Sequence, residues 1–146
     1  MKNIIAVDID GTISLIGNRL KYIQQTPKDW DSFYSKCYED KPNIPVIEIL
    51  KGLIKLKQYY LVYVTGRPER IRFKTQQWII DNALPCFSAQ LFMRNEGDYR
   101  PDYIIKTEII KPFKDRIFMA FEDRDQVVKM YRNLEIPCMQ VTEGNY

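Results

Sequence analysis

Histidine is absent from the 146 residues, and its absence excludes several kinds of catalytic centre. Neither a Ser-His-Asp triad nor a zinc site of the His-Glu-x-x-His type can form without it. The chain also has no Gly-x-x-x-x-Gly-Lys-Ser/Thr sequence, so the usual cradle for a nucleoside triphosphate is missing. No cysteine is followed by an arginine six residues later, which argues against a phosphate-binding loop around a thiolate. Carboxylates are the nucleophiles that remain.

Cysteines and long apolar runs are scarce. Cys37, Cys86 and Cys138 are odd in number, far apart and without metal-type spacing, which predicts buried, inert thiols in a cytoplasmic compartment. The first apolar run is six residues long and already contains an aspartate, so it is neither a signal peptide nor a membrane span. We expect no membrane partner. The formal net charge of +3 is only a weak indication of an anionic partner.

Strand-like and helix-like segments alternate along the chain. Runs of strand length and apolar or aromatic character cover residues 3–7, 59–66, 89–93, 116–123 and 138–142. Helical patterns cover residues 45–58, 68–83, 101–111 and 124–134. Such alternation over short connections predicts right-handed βαβ units. We expect one α/β domain over residues 1–146, with a doubly wound, Rossmann-like, mostly parallel five-stranded sheet and helices on both faces.

One segment, at about residues 14–43, interrupts the alternation and predicts a small cap insertion after the first strand. It contains a helical pattern over residues 27–40, on which four aromatic side chains share a face: Trp30, Phe33, Tyr34 and Tyr38. Packing onto the domain is one interpretation of this face. Stacking against nucleic-acid bases is the other.

Polar residues follow three of the predicted strands. Asp8 and Asp10 follow the first strand, Thr65-Gly66-Arg67 the second, and Glu122-Asp123 with Asp125 the fourth. Because parallel sheets bind ligands beyond the carboxyl ends of their strands, we expect these three segments to converge at one edge.

The aspartate pair itself favours a divalent cation. Residues two apart on an extended segment point to the same side, so a cation between Asp8 and Asp10 would relieve their repulsion. A calcium loop of the helix-loop-helix type is excluded, because Gly11 is at position 4 and Arg19 at position 12 counted from Asp8. A structural role, in which the pair caps a turn, is the alternative.

Four segments together resemble the motifs of haloacid-dehalogenase (HAD) phosphatases. They are "DIDGT" at 8–12, "VTG" at 64–66, Lys106 and "EDRD" at 122–125, in the order that this superfamily has. The whole chain is similar to the 3′-phosphatase domain of phage-type polynucleotide kinase/phosphatase. That narrower resemblance also covers Arg19, "TGR", "MRNEGDYRPD", "EDRDQVVKMYR" and "QVTEGNY".

The resemblance implies a role for each matching residue. Asp8 would be the nucleophile, and Asp10 would protonate the leaving alkoxide and then activate water. The implied Mg²⁺ ligands are Asp8, Asp10, Glu122 and Asp123. The implied substrate-binding residues are Arg19, Thr65, Gly66, Arg67 and Asp102, with Lys106 as a catalytic cation. Asp102 lies four residues before Lys106 on a predicted helix, where an ion pair would aim the ammonium at the site.

Glu122 departs from the family pattern, which usually has Asp-Asp where this chain has Glu122-Asp123. The additional methylene leaves three placements open for this carboxylate. It could bind the metal directly, orient a metal-bound water or face the solvent.

In the HAD superfamily a large cap tends to enclose small substrates, so the resemblance and the small insertion together imply a rather open site. We expect a Mg²⁺-dependent phosphomonoesterase that forms an aspartyl-phosphate and removes 3′-phosphates from polynucleotide ends. A nucleoside monophosphate phosphatase is the alternative, with the nucleotide stacked on Tyr22, Trp30 or Tyr34. A non-catalytic phosphate-binding module is a third hypothesis, which the presence of both Asp8 and Asp10 disfavours.

Overall fold

A computed structural model describes residues 1–146, with a five-stranded parallel β-sheet at its centre. The strands are β1 (Ile4–Val7), β2 (Ser14–Leu15), β3 (Lys41–Pro42), β4 (Tyr60–Pro68), β5 (Leu91–Arg94), β6 (Ile117–Glu122) and β7 (Cys138–Gln140). The sheet has the order β5-β4-β1-β6-β7, and all its neighbouring strands are parallel. The predicted parallel sheet is confirmed.

Prolines mark two helix starts. The helices are α1 (Lys21–Gln24), α2 (Trp30–Ser35), α3 (Ile44–Lys55), α4 (Arg72–Asp81), α5 (Asp102–Ile110) and α6 (Asp125–Asn133). Pro45 lies in the first turn of α3, where a missing N–H costs nothing, and Pro101 directly precedes α5. Helix α4 begins at Arg72 rather than at the predicted Pro68, because β4 continues through Pro68 and residues 69–71 form a 3₁₀ turn.

Two apolar cores cover the two faces of the sheet. On β1, Ile5 and Val7 join a core with side chains of α3 and α4, whereas Ile4 and Ala6 join a core with side chains of α5 and α6. This alternation follows from the two-residue period of a strand. Helices therefore pack on both faces, as the sequence predicts.

The order in which the helices connect the strands creates a crevice at the carboxyl ends of the strands. From the central β1 the chain passes through α3 to β4 and through α4 to β5, on one side of the sheet. It then crosses through α5 to β6 on the other side of β1, and α6 leads to β7. The direction of winding reverses between β1 and β6, and open α/β sheets bind ligands at such a point.

In the segment after β1, the short strands β2 and β3 pair in antiparallel fashion. Helices α1 and α2 come between these two strands in the sequence. Phe33 on α2 is buried, and the Tyr34 hydroxyl donates to the Gly66 carbonyl at 3.1 Å. These contacts confirm that part of the aromatic face packs onto the sheet. Trp30 and Tyr38 remain 38% and 49% exposed.

The three cysteines are buried and form no disulfide. Burial raises the pKa of the Cys86 thiol to about 11 and that of Cys138 to about 12, so both stay protonated near neutral pH. No helix has both the length and the apolar character that crossing a membrane would require.

Candidate active site

A buried lysine joins two carboxylates at the ends of β1 and β6. Lys106, on α5, donates through Nζ to Asp8 Oδ1 at 2.6 Å and to Glu122 Oε2 at 2.7 Å. The Thr12 hydroxyl donates to the other Asp8 oxygen at 3.0 Å. All four residues are at most 6% exposed. Burial is the main cause that raises the pKa of Asp8 and that of Glu122 to about 7; the Glu122 carboxylate adds to the shift of Asp8, and the neighbouring Asp123 carboxylate adds to that of Glu122.

A third carboxylate, that of Asp123, completes a cluster. Asp8, Glu122 and Asp123 each place an oxygen within 4.8 Å of the others. Asp123 Oδ2 accepts a short hydrogen bond from the Tyr146 hydroxyl, whereas the buried Oδ1 has no hydrogen-bond partner. Burial and the nearby Asp8 raise the pKa of Asp123 to about 6.

The cluster has the properties of a divalent-cation site. Once ionised, the three carboxylates and the one ammonium carry an excess of two negative charges in a buried place, and the raised pKa values reflect the cost of that charge. A divalent cation would balance that charge, and the unpaired Asp123 Oδ1 would gain a partner. An all-oxygen ligand set suits a hard cation. The residues therefore fit the metal that the sequence predicts.

Gly11 lets the backbone approach this cluster closely. Its φ is +82°, and a Cβ there would lie 2.1 Å from Asp123 Oδ2. Any side chain would displace Asp123, and the left-handed backbone would add strain. This explains the glycine in "DIDGT".

Glu122 is fully buried, so a solvent-facing placement is wrong. Its Oε1 accepts from the backbone N–H groups of Asp123, at 3.1 Å, and Arg124, at 3.3 Å. Lys106 holds its other oxygen. Both oxygens thus already have donors, which distinguishes this carboxylate from that of Asp123.

The Asp10 carboxylate lies outside the cluster, although we expected it among the metal ligands. Arg67 binds it with two hydrogen bonds, Nε to Oδ2 at 3.0 Å and Nη2 to Oδ1 at 2.8 Å. Arg19 Nη2 donates to the same Oδ1 at 2.7 Å. Burial alone would raise the pKa of Asp10, but the two guanidinium groups hold it well below its usual range. Asp10 is therefore a carboxylate in this state.

Arg19 and Arg67 do not face an open site, contrary to the expected direct grip on a phosphoryl group. Arg67 is fully buried, and its remaining Nη1 donates to Thr75 Oγ1 at 3.3 Å. Arg19 also donates to the Phe33 carbonyl at 2.7 Å and to both oxygens of Asp40. These donors already have protein partners, and both arginines bind Asp10.

Asp102 does not pair with Lys106, which corrects the expected ion pair on α5. Its carboxylate instead binds Arg94, in a short contact, and Arg124 Nη1 at 2.8 Å. Lys106, one turn further along α5, is drawn to two carboxylates at the sheet edge. The nearest guanidinium groups neutralise Asp102.

Thr65 and Gly66, near the end of β4, support this arrangement. Buried Thr65 accepts the Arg67 N–H through Oγ1 at 3.2 Å. The Gly66 carbonyl accepts from Arg94 Nε at 3.0 Å, and a Cβ on Gly66 would lie 2.4 Å from Asp102. A side chain at position 66 would therefore push Asp102 away.

The predicted segments do meet around one small cavity, of about 20 Å³. Its lining includes Asp8, Asp10, Gly66, Asp102 and Arg124. It also includes Ile23, Trp30 and Phe33 from the insertion, together with Tyr146.

Sequence reasoning missed several participants. Asp40, Arg94, Arg124 and Tyr146 received no role. Arg94, Arg124 and Tyr146 lie in stretches that carry the family resemblance, which is the signal that could have found them. Asp40 has no such signal, because it reaches Arg19 only through the fold of the insertion.

A family model of the polynucleotide kinase PNKP phosphatase domain matches residues 2–146. A protein of Autographa californica nuclear polyhedrosis virus, provisionally named a bifunctional polynucleotide kinase/RNA ligase, is 29% identical over 135 residues. That match covers 90% of this chain but 18% of the viral protein.

Two solved structures are similar to this chain in fold. A chain of the "Pnkp1/Rnl/Hen1 RNA repair complex" is 31% identical, with a TM-score of 0.82 over 99% of this chain and 44% of its own length. This chain thus spans less than half of either relative. A class C acid phosphatase from Bacillus anthracis has a TM-score of 0.70 over 100% of this chain and 69% of its own, at 13% identity, and shares the fold. The match over residues 2–146 identifies this chain as a member of the PNKP phosphatase-domain family, and hence as a phosphatase of the HAD superfamily.

Proposed function

We propose that this chain is a Mg²⁺-dependent phosphomonoesterase that removes 3′-phosphates from polynucleotide ends through an aspartyl-phosphate on Asp8. The observation that carries the proposal is the placement of Asp8. Its carboxylate lies at the end of the central strand, held by Lys106 and Thr12, beside the unpaired oxygen of Asp123. The relatives that contain a polynucleotide kinase or belong to an RNA repair complex support the choice of substrate.

Asp8 and Asp123 would hold Mg²⁺, with Glu122 within reach of the same position. When bound, the ion supplies positive charge that offsets the carboxylates and attracts phosphoryl oxygens. Lys106 adds a fixed positive charge beside the nucleophile. Both lower the repulsion between Asp8 and the incoming phosphomonoester anion.

The placement of Asp8 and Asp10 supports a reaction in two steps. In the first, an Asp8 oxygen attacks phosphorus, the bond from phosphorus to the 3′ oxygen breaks, and Asp10 protonates that oxygen. In the second, water attacks the aspartyl-phosphate, Asp10 takes a proton from it, and Asp8 and inorganic phosphate are released. The carboxylate form of Asp10 suits the second step directly.

The first step needs a proton on Asp10. Since Arg19 and Arg67 hold Asp10 as a carboxylate in the free protein, the proton arrives with the substrate. A phosphomonoester with a second pKa of roughly 6 still carries a proton in part of its population near neutral pH, and Asp10 relays that proton to the 3′ oxygen as the bond to phosphorus breaks. The two arginines keep Asp10 in place for both steps, and Thr65 and Gly66, near the end of β4, lie beside them.

A nucleoside monophosphate phosphatase is the second candidate, and a specific feature favours it. A cavity of about 400 Å³ adjoins the small cavity lined by Asp8 and Asp10, which we call the catalytic cavity. Pockets that bind single small ligands are of this size.

One assay tests both functions. The protein is given Mg²⁺ with an oligonucleotide phosphorylated at its 3′ end, the same oligonucleotide phosphorylated at its 5′ end, and 3′- and 5′-mononucleotides. Phosphate should be released fastest from the 3′-phosphorylated oligonucleotide, and Asp8→Asn should abolish this release. Preferred hydrolysis of mononucleotides would replace the proposed function with the second candidate.

A further inference from the structure

The cavity of about 400 Å³ lies directly beside the catalytic cavity. Both share Trp30, Asp102 and Arg124 in their linings. The larger cavity is walled on one side by the insertion and on the other by residues that follow β4 and β5. A phosphoryl group at Asp8 would therefore place the remainder of its molecule in this cavity.

Trp30 offers an aromatic surface there. Trp30 is 38% exposed, and its ring lies nearly parallel to that of Tyr34, with centroids 5.9 Å apart and an interplanar angle of 20°. The ring of Phe33 meets it edge-on at 5.7 Å. The Tyr34 hydroxyl in turn donates to the carbonyl of Gly66, near the end of β4. Trp30 is thus held at a defined distance from the site.

The lining carries more positive than negative charge. Its basic residues are Lys28, Arg70, Arg94, Arg100 and Arg124, and its acidic residues are Asp31, Asp98 and Asp102. Arg70 pairs with Asp31 and Glu96 on the exposed surface, where ion pairs exchange easily for another anion. An aromatic surface with surrounding cations is the combination that binds single-stranded nucleic acid.

We propose that this cavity binds the 3′-terminal nucleotide of the substrate, with its base stacked on Trp30. The exposed Lys28, whose Nζ lies 5.5 Å from the centroid of the Trp30 ring, would be displaced by the base, and with Arg70 it would then pair with the phosphodiester that leads to the preceding nucleotide. The inference rests on the proposed function and adds how the polynucleotide end is recognised. It assigns substrate recognition to the insertion and not only to the sheet edge.

Tryptophan fluorescence provides a test that does not depend on turnover. The chain has two tryptophans, and Trp78 is 5% exposed with its indole N–H bound to the Asp40 carbonyl. Quenching by a bound base therefore reports on Trp30. The Asp8→Asn protein is titrated with a 3′-phosphorylated oligonucleotide and with the same oligonucleotide lacking the 3′-terminal base. Only the first should quench, and it should bind about tenfold more tightly.

Two variants and a control accompany this titration. Trp30→Ala should weaken binding of the complete oligonucleotide about tenfold, and Trp30→Phe should restore most of it, because a smaller ring still stacks. Phe73→Ala is the matched control, since Phe73 is 78% exposed and lines neither cavity. The control should bind as tightly as the parent.

The outcomes separate the two proposals. If the wild-type protein leaves 3′-phosphorylated oligonucleotides intact, the proposed function fails. If it hydrolyses them, but removal of the terminal base or Trp30→Ala leaves affinity unchanged, the function stands and the nucleotide site is refuted.

Discussion

Replacing Lys106 with methionine should destabilise the metal-free protein strongly. Lys106 is 1% exposed and supplies the ammonium that binds both Asp8 and Glu122, at 2.6 and 2.7 Å. Removing one partner of a buried ion pair costs about 3–5 kcal/mol, because the other charge stays buried without compensation. With an unfolding entropy of about 2.1 cal/mol/K per residue, this free energy corresponds to a drop in Tm of roughly 10–16 °C.

The loss should depend on pH in a defined direction. Burial raises the pKa of Asp8 and Glu122 to about 7 in the folded protein, whereas unfolded carboxyl groups titrate near 4. The folded state therefore binds more protons between these values, and the stability of the metal-free protein falls as pH rises from about 4 to 7. Lys106 lowers the pKa of both carboxyl groups, so removing it raises them further; the loss should therefore be small at pH 5.5, where both groups are protonated, and should grow as the pH rises above 7.

Thermal unfolding in EDTA, followed by circular dichroism, measures the effect. Adding Glu122→Gln to Lys106→Met removes one uncompensated charge and should recover part of the lost Tm. Mg²⁺ should raise the Tm of Lys106→Met more than that of the wild type. Two results would contradict this explanation. In the first, Lys106→Met is as stable as the wild type at pH 8 in EDTA. In the second, the drop in Tm of the double variant equals the sum of the drops of the two single variants.

Four further variants probe the proposed roles. Asp8→Asn should lower kcat by about a thousandfold or more with the protein still folded, and near-normal phosphate release in a steady-state assay would contradict the nucleophile. Asp10→Asn should slow alkyl phosphates about a hundredfold and aryl phosphates much less, and equal losses on both would remove the acid role. Tyr146→Phe should weaken Mg²⁺ binding about tenfold by calorimetry, because Asp123 loses its hydroxyl donor, and unchanged affinity would leave that contact without a role. Arg67→Lys should lower kcat more than it raises KM, since lysine cannot make both bonds to Asp10, and a change confined to KM would instead assign Arg67 to substrate binding.

Local patterns were sufficient for the framework of the fold. The apolar run before Asp8 and the alternation of strands with helices predict a parallel sheet, and the structure has it. Because carboxyl ends of parallel strands meet at one edge, the sequence also predicts that Asp8 and Asp123 come together. Their side chains lie in one cluster with Glu122.

Side-chain direction was not predictable in the same way. Asp10 follows Asp8 by two residues, and the spacing suggests a shared metal, yet its carboxylate turns to Arg67, 57 positions away in the chain. Asp102 and Lys106 have the spacing of a helical ion pair, but each finds opposite charge on a different element. A pair at helical spacing contributes only about 0.2–0.5 kcal/mol on an isolated helix, so buried partners readily replace it.

The amino-acid sequence by itself determined the layered α/β architecture and the strand ends at which the acidic residues lie, because strand and helix periods and turn positions are local properties. Only the tertiary structure decided which cation each carboxylate meets and that Trp30 stands beside the catalytic cavity. These pairings join residues far apart in the chain, and burial makes each of them depend on every charge that the fold brings near.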